Sequence, residues 1–214
     1  MLKKIKFILV IVLLISFIIV DHYMNILPSK KYSNEDFNIQ NYQSSIDLDQ
    51  DGIDDQSDIL ENVLNYIETK PKYKSVYYDG GYPTDQYGVC TDVVAQGLLG
   101  AGYDLQKLVN QDILRAPNEY SIDTVDDNID FRRVVNLNIY FKRNAINLTT
   151  DIQKNEQWHT GDIVVFEKHI GIISNHRNKK GIPFVIHHGN PYQIRYEEDI
   201  LEKYGKIIGH YRIS

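Results

Sequence analysis

Apolar residues recur along this chain in three rhythms, and each predicts a different kind of element. From Phe7 to Val20 they form one run behind a basic start of Lys3, Lys4 and Lys6, which is the pattern of a membrane-targeting segment. Further on, Ile59, Val63 and Ile67 in DILENVLNYIETK recur at helical spacing. So do Val94, Leu98 and Ala101 in TDVVAQGLLGAGYDLQKLV, and Val134, Leu137 and Phe141 after NIDFRRVV. The third rhythm belongs to the carboxyl half, where the short blocks IVVF, HIGIIS and PFVIHH are separated by turn signals (GD, EK, NHRNKKG) and read as consecutive antiparallel strands. Helical patterns that precede strand patterns predict an α+β fold, with amino-terminal helices packed on a small antiparallel sheet.

These patterns divide the chain into a membrane anchor or signal segment (1–27), a polar linker (28–45), an acidic loop with its helix (46–70) and a main domain (71–214). Without the first segment and linker the remainder suits one domain, given about 100–200 residues per domain. The apolar run is short for a spanning helix, which needs about 20 residues, yet no small-residue cleavage site follows it. Retention as a single anchor is therefore expected, with the lysines cytoplasmic and everything after Asp21 outside; cleavage would release a secreted protein. The net charge is −6 and no basic stripe occurs, so nucleic acid is not an expected partner. The one cysteine, Cys90, excludes a disulfide within the chain. In an exported protein such a thiol pairs with another molecule or reacts.

The stretch DLDQDGIDDQSD places Asp47, Asp49 and Asp51 at alternate positions, then Gly52, Ile53, Asp55 and Asp58 at the sixth, seventh, ninth and twelfth places. That is the ligand order of an EF-hand loop, in which a glycine turn wraps alternate carboxylates around a cation and the seventh residue offers its carbonyl. A structural Ca2+ is the expected cofactor, with Asp58 in place of the longer Glu. A solvated acidic turn, with Ser57 or Asp58 capping the next helix, is the plainer alternative.

Cys90 lies where the loop QYGV runs into a helical pattern, and hence in a first helical turn. A thiol there is expected to be more acidic than its free value of about 8.5, and neighbouring N–H groups can hold an oxyanion. His169 opens the second strand block and His187 closes the third, so Cys90, His169 and His187 could supply a nucleophile, a base and an orienting group. Side chains alternate along a strand, so only one of His187 and His188 can face His169. One of Arg132 and Arg133 could pair with Asp92 or hold a substrate carboxylate in a bidentate fork; a solvated face or a structural ion pair is favoured over substrate binding.

The ordered set VYYDGGYPTDQYGVCTDVV, WHTGDIVVFEKHIGIIS and PFVIHHG resembles the NlpC-type branch of papain-like cysteine peptidases. GVCTDVV, NIDFRRVVNL, GDIVVF, HIGIIS and IIGHYRIS together resemble, more closely, a bacterial YijF-like domain of unknown function, grouped with that clan, from about Tyr73 to the carboxyl end. The resemblance implies a papain-like fold with Cys90 as nucleophile, His169 as general base and His187, not His188, as the orienting residue. It also implies an oxyanion or substrate role for Tyr77 and Asp92. Val89 replaces the family's Asp before the cysteine, and Thr91 and Asp92 replace its Ser-Gly. The implied activity is thiol-dependent cleavage of an amide in cell-wall peptides such as peptidoglycan stem peptides, with no catalytic cofactor. The alternatives are acyl transfer by the same residues, a non-catalytic calcium-stabilised module that binds wall polymer or a partner, and a zinc site on His169, His187 and His188.

Overall fold

The computed structural model describes residues 2–213, the side chains of residues 2 and 22–24 excepted, so His22 lies outside the described side chains. α1 (Leu2–Met24) is one helix, with apolar side chains from Ile5 to Val20 turned outward. Among the described residues no helix is long and apolar enough to cross a membrane. The body that follows contains α2 (Asp55–Glu68), the short strands β1 (Lys72–Tyr73) and β2 (Tyr87–Gly88), α3 (Cys90–Gly100), α4 (Leu105–Arg115) and α5 (Val134–Asn144). Its second half adds β3 (Ile146–Asn147), β4 (Ile163–Phe166), β5 (His169–Arg177), β6 (Pro183–Ile186), β7 (Glu197–Glu198) and β8 (Ile207–Arg212).

The larger sheet has the order β3-β8-β4-β5-β6-β7, with every neighbour antiparallel. The expected run of antiparallel strands is therefore its centre, β4-β5-β6, with β8 returning between β3 and β4. β1 and β2 form a separate parallel pair. Both faces of the sheet are covered. Ile163, Val165, Ile170, Ile172 and Ile186 join Ile59, Val63, Val94 and Leu98 of α2 and α3 in one core, and Val164, Phe166, Ile173 and Val185 meet Trp158, Ile200 and Leu201 in the other. Two-sided burial explains why IVVF is apolar at every position instead of alternating.

α2 is capped by Asp54, whose carboxylate accepts from the Ser57 N–H, so neither Ser57 nor Asp58 caps it. α2 packs within the main core, which joins the acidic loop to the body. The helical stretch after Cys90 breaks at Gly100: Gly102 takes φ +85°, and Asp104 caps α4 through the Lys107 N–H. The Asp of the GD motif, Asp162, is fully buried and binds five donors. These are Arg212 Nε (2.7 Å) and Nη2 (2.8 Å), the His159 N–H (2.9 Å), His210 Nε2 (3.0 Å) and Gln56 Nε2 (3.1 Å). It ties β4, β8 and α2 together beneath the sheet, which is the physical reason for an acid at the start of an apolar strand.

Candidate functional site

Cys90 is the first residue of α3 and keeps partial exposure. Val89 ahead of it is extended, and its N–H is bound by the Asp92 carboxylate at 2.8 Å, which closes the first turn. Asp92 is in turn gripped by Arg132, Nε to Oδ1 at 2.6 Å and Nη2 to Oδ2 at 2.9 Å, while Nη1 donates to the Val76 carbonyl at 2.6 Å. Neither residue is free to touch a substrate, because Asp92 is wholly buried and the Arg132 side chain is 2% exposed. The pair clamps the loop that delivers Cys90, and the substrate or oxyanion role considered for both gives way to that one. Arg133 is exposed, 3.7 Å from Asp130. Tyr77 is also exposed, its hydroxyl bound to Asp126 (3.2 Å) and Asn128 (3.2 Å) in a surface turn.

Across from α3, the backbone of Ile170 in β5, one residue beyond His169, is near enough to the Cys90 thiol to lower its pKa. His169 is 4% exposed, and its Nε2 lies 2.9 Å from His187 Nδ1. The next link was not expected: His187 Nε2 lies 3.1 Å from Glu198 Oε2. Two imidazoles and a carboxylate thus form one buried row. The Tyr204 ring packs over it, 4.4 Å from His169 and 5.6 Å from His187 between centroids. A cavity of about 180 Å³ opens beside His169 between Phe166, Lys168, Tyr204 and Lys206.

Two glycines make room for the row. A Cβ on Gly171 would stand 2.5 Å from Val185 Cγ1, 2.8 Å from the Ile186 carbonyl oxygen and 3.2 Å from His187 Cβ. A Cβ on Gly189 would stand 2.6 Å from the Tyr204 hydroxyl. The glycine of HIGIIS therefore serves the close approach of β6, at Val185 and Ile186 just ahead of His187. His188 turns away into the rings of Tyr73 and Tyr196, with Nδ1 buried and unpaired. The alternation argument holds: one histidine of the HH pair joins His169 and the other does not.

The electrostatics correct one expectation. Burial pushes the Cys90 thiol up to about 11, against the smaller lowering by the Ile170 and Thr91 N–H groups, so desolvation outweighs the helix terminus. Burial, then the neighbouring His187 and His188, holds His169 well below its ordinary value, and burial followed by His188 lowers His187 to about 3. Thiol and imidazoles are all neutral at pH 7 in this resting arrangement. Burial lifts Glu198 to about 7, offset by Asn25, Lys203 and Arg195. Burial first, then Cys90, raises Tyr73 and Tyr204, which makes them the tyrosines that sense the thiol electrostatically.

Among the described residues one set of thiol, imidazole or carboxylate groups converges closely enough to share a metal ion, Asp47, Asp49 and Asp51. His169, His187 and His188 do not converge in this way. Asp47 also ties the turn, accepting from the N–H groups of Asp51 (3.2 Å) and Gly52 (2.9 Å). Asp58 stands near enough for Asp49 and Asp51, after burial, to help lift it to about 6. Asp55 departs from the expected ligand set: one oxygen accepts the Leu48 N–H at 2.8 Å and the other the Tyr103 hydroxyl. The Ile53 N–H folds back on Asp51 at 2.8 Å.

The fold and site define a mixed α/β protein that sets a lone helix-start cysteine beside a buried imidazole–imidazole–carboxylate row. The chain belongs to the DUF1287 family, a domain of unknown function, which matches residues 60–213 and so takes in the row and most of α2. It is 37% identical over 153 residues to "Uncharacterized protein YijF" of Escherichia coli (strain K12), covering 66% of this chain and 72% of that protein. No solved structure matches.

Sequence reasoning found Cys90, His169 and His187 through their motif order. It missed Glu198, Tyr204 and Tyr73. Glu198 lies in YEED, an acidic stretch whose composition reads as solvated surface, and no local pattern marks it.

Proposed function

We propose that the protein is an extracytoplasmic thiol-dependent amide hydrolase of papain-like, NlpC-type architecture, acting on cell-wall peptides such as peptidoglycan stem peptides. The observation that carries the reading is the His169–His187 hydrogen bond, which starts one residue from Ile170, whose backbone influences the Cys90 thiol. It occupies His169 Nε2 and leaves Nδ1 as the ring nitrogen available to a thiol. In the reaction, Cys90 Sγ bonds to the substrate carbonyl carbon as its proton passes to His169. N–H groups at the start of α3 then hold the oxyanion, the C–N bond breaks, and the amine leaves with that proton. Water resolves the thioester and releases the acid. Because thiol and imidazole rest neutral, proton transfer accompanies attack instead of preceding it. The cavity beside His169 carries Lys168 and Lys206 against the single acid Glu167, an excess of positive charge that suits substrates carrying carboxylates, as stem peptides do.

We place α1 at the membrane, as signal or anchor. Its apolar run would reach about 21 Å at about 1.5 Å per residue, less than a hydrocarbon core of about 30 Å, so the flanking lysines would have to snorkel. The Asp47, Asp49 and Asp51 cluster is proposed to take a structural Ca2+ that pins the loop against α2.

The test is amine release from purified peptidoglycan peptides by the full chain. Release that is lost in Cys90→Ser and His169→Ala, with folding retained, is expected. No release, together with equal iodoacetamide reactivity of Cys90 in wild type and His169→Ala, would leave a non-catalytic module.

A further inference from the structure

We propose that Glu198 is the proton-holding end of the buried row, so that a proton taken up at His169 Nδ1 is stored as a carboxylic acid on Glu198 while both imidazoles stay neutral. This rests on the thiol-hydrolase reading and adds to it a positioning residue that sets which nitrogen of His169 is basic.

The geometry allows two arrangements of protons. With Glu198 ionised, His187 Nε2–H donates to Oε2, His187 Nδ1 accepts from His169 Nε2–H, and His169 Nδ1 carries a free lone pair. That is the form able to receive a thiol proton. When Nδ1 takes that proton, the His169 Nε2 proton passes to His187 Nδ1 and the His187 Nε2 proton passes to Glu198. Each ring then still holds one proton and the carboxyl holds the extra one. His169 has meanwhile changed from a base at Nδ1 into an N–H donor, the form that returns a proton to a leaving amine. The negative charge lost from Glu198 reappears on sulfur, so the sum over the site is unchanged.

The surroundings favour this route over an imidazolium. Both rings are almost fully buried, and burial lowers the proton affinity of each, whereas the same burial raises that of the carboxyl to about 7. An added proton therefore settles at the carboxyl end. In a serine-protease triad, by contrast, the acid stays ionised beside a charged imidazolium.

The groups that face Glu198 leave it in this role. From the loop before β7, Arg195 spends its guanidinium on the Asn25 and Ile26 carbonyls. From the turn after β7, Lys203 donates to Asn25 Oδ1 at 2.5 Å. Asn25 itself follows α1 and, after burial, is the largest influence lowering Glu198. Lys31 pairs with Glu197, and Asp199 bonds Asn178 at 3.0 Å. Among the described residues His187 is thus the one cationic-capable partner within ion-pair reach of Glu198. Gln193 lies 3.4 Å from His187 Nε2, but its amide hydrogens serve the carbonyls of His187 (3.1 Å) and Arg195 (2.6 Å). It fixes the loop without competing for the ring.

The experiment follows the imidazole nitrogen signals of the full chain, labelled with 15N-histidine, from about pH 8 down to about pH 5, the window in which an ordinary imidazole would gain a second proton. The expected result is a single step centred near pH 7. In it the protons of His169 and His187 both move from Nε2 to Nδ1, neither ring becoming doubly protonated, and the step is absent from Glu198→Gln. The same step is expected in Cys90→Ser, because the row does not depend on the thiol. Rings that keep one tautomer throughout, that become imidazolium at the step, or that behave alike in wild type and Glu198→Gln would each overturn the proposal. A step present in a protein that cleaves no peptide, with Cys90 reactivity unchanged by His169→Ala, would instead sink the hydrolase reading and leave the relay standing.

Discussion

Removing the Arg132 side chain isolates the clamp beneath Cys90. In Arg132→Ala the fully buried Asp92 carboxylate loses two guanidinium hydrogen bonds and keeps one, from the Val89 N–H. The Val76 carbonyl loses its 2.6 Å donor as well. An uncompensated buried charge of this kind destabilises by about 3–5 kcal/mol, a large part of the roughly 5–15 kcal/mol that holds a domain together. Urea unfolding of the full chain, followed by far-ultraviolet circular dichroism, measures the loss. The partner variant Asp92→Asn keeps an acceptor for Val89 but strands the guanidinium, and Asp92→Asn with Arg132→Ala removes both charges of the pair. The double variant should therefore be less destabilised than the two single losses added together, with a coupling of about 1–3 kcal/mol. Arg132→Ala within about 1 kcal/mol of wild type, or strict additivity in the cycle, would refute the claim that this pair is a buried, desolvated clamp.

The tight approach at Gly171 predicts that Gly171→Ala, whose Cβ would stand 2.5 Å from Val185, destabilises by about 1–3 kcal/mol through overpacking. Thermal melting measures the loss, and His187 and His169 imidazole signals shifted from those of wild type would report the displaced row. The elevated Glu198 carboxyl makes the folded state bind more protons than the unfolded chain between about pH 4.5 and 7, so its contribution to stability falls as pH rises through that window. Glu198→Gln should accordingly gain on wild type from pH 4.5 to 7, seen as diverging urea midpoints; parallel midpoints would contradict the buried carboxyl. Ca2+ at about 100 times its dissociation constant should stabilise the full chain by about 2.7 kcal/mol. Asp47→Ala should abolish that gain, both read from melting curves with and without a chelator.

Strand identity was legible because two-sided burial leaves a compositional mark: IVVF and PFVI are apolar at every position, and they are β4 and β6. The trio of Cys90, His169 and His187 was legible for a different reason. A cysteine at a loop-to-helix junction and a histidine at the mouth of each of two strand blocks carry local signals; strand parity lets only one of His187 and His188 face His169, and the motif resemblance picks His187. Helix capping was less legible, since Ser57, Asp58 and Asp54 are all competent caps and the backbone path chooses Asp54.

What the sequence by itself determined is therefore everything carried by periodicity and motif order: the α+β class, the family, the acidic loop and the identities of thiol and imidazoles. Tertiary structure alone decided which charges are buried and against what. Arg132 meets Asp92 across 40 residues, and Glu198 reaches His187 only because β7 pairs with β6. The sign of the Cys90 shift was settled the same way, because a helix terminus is local and readable, whereas desolvation sums over every atom the fold brings near the sulfur.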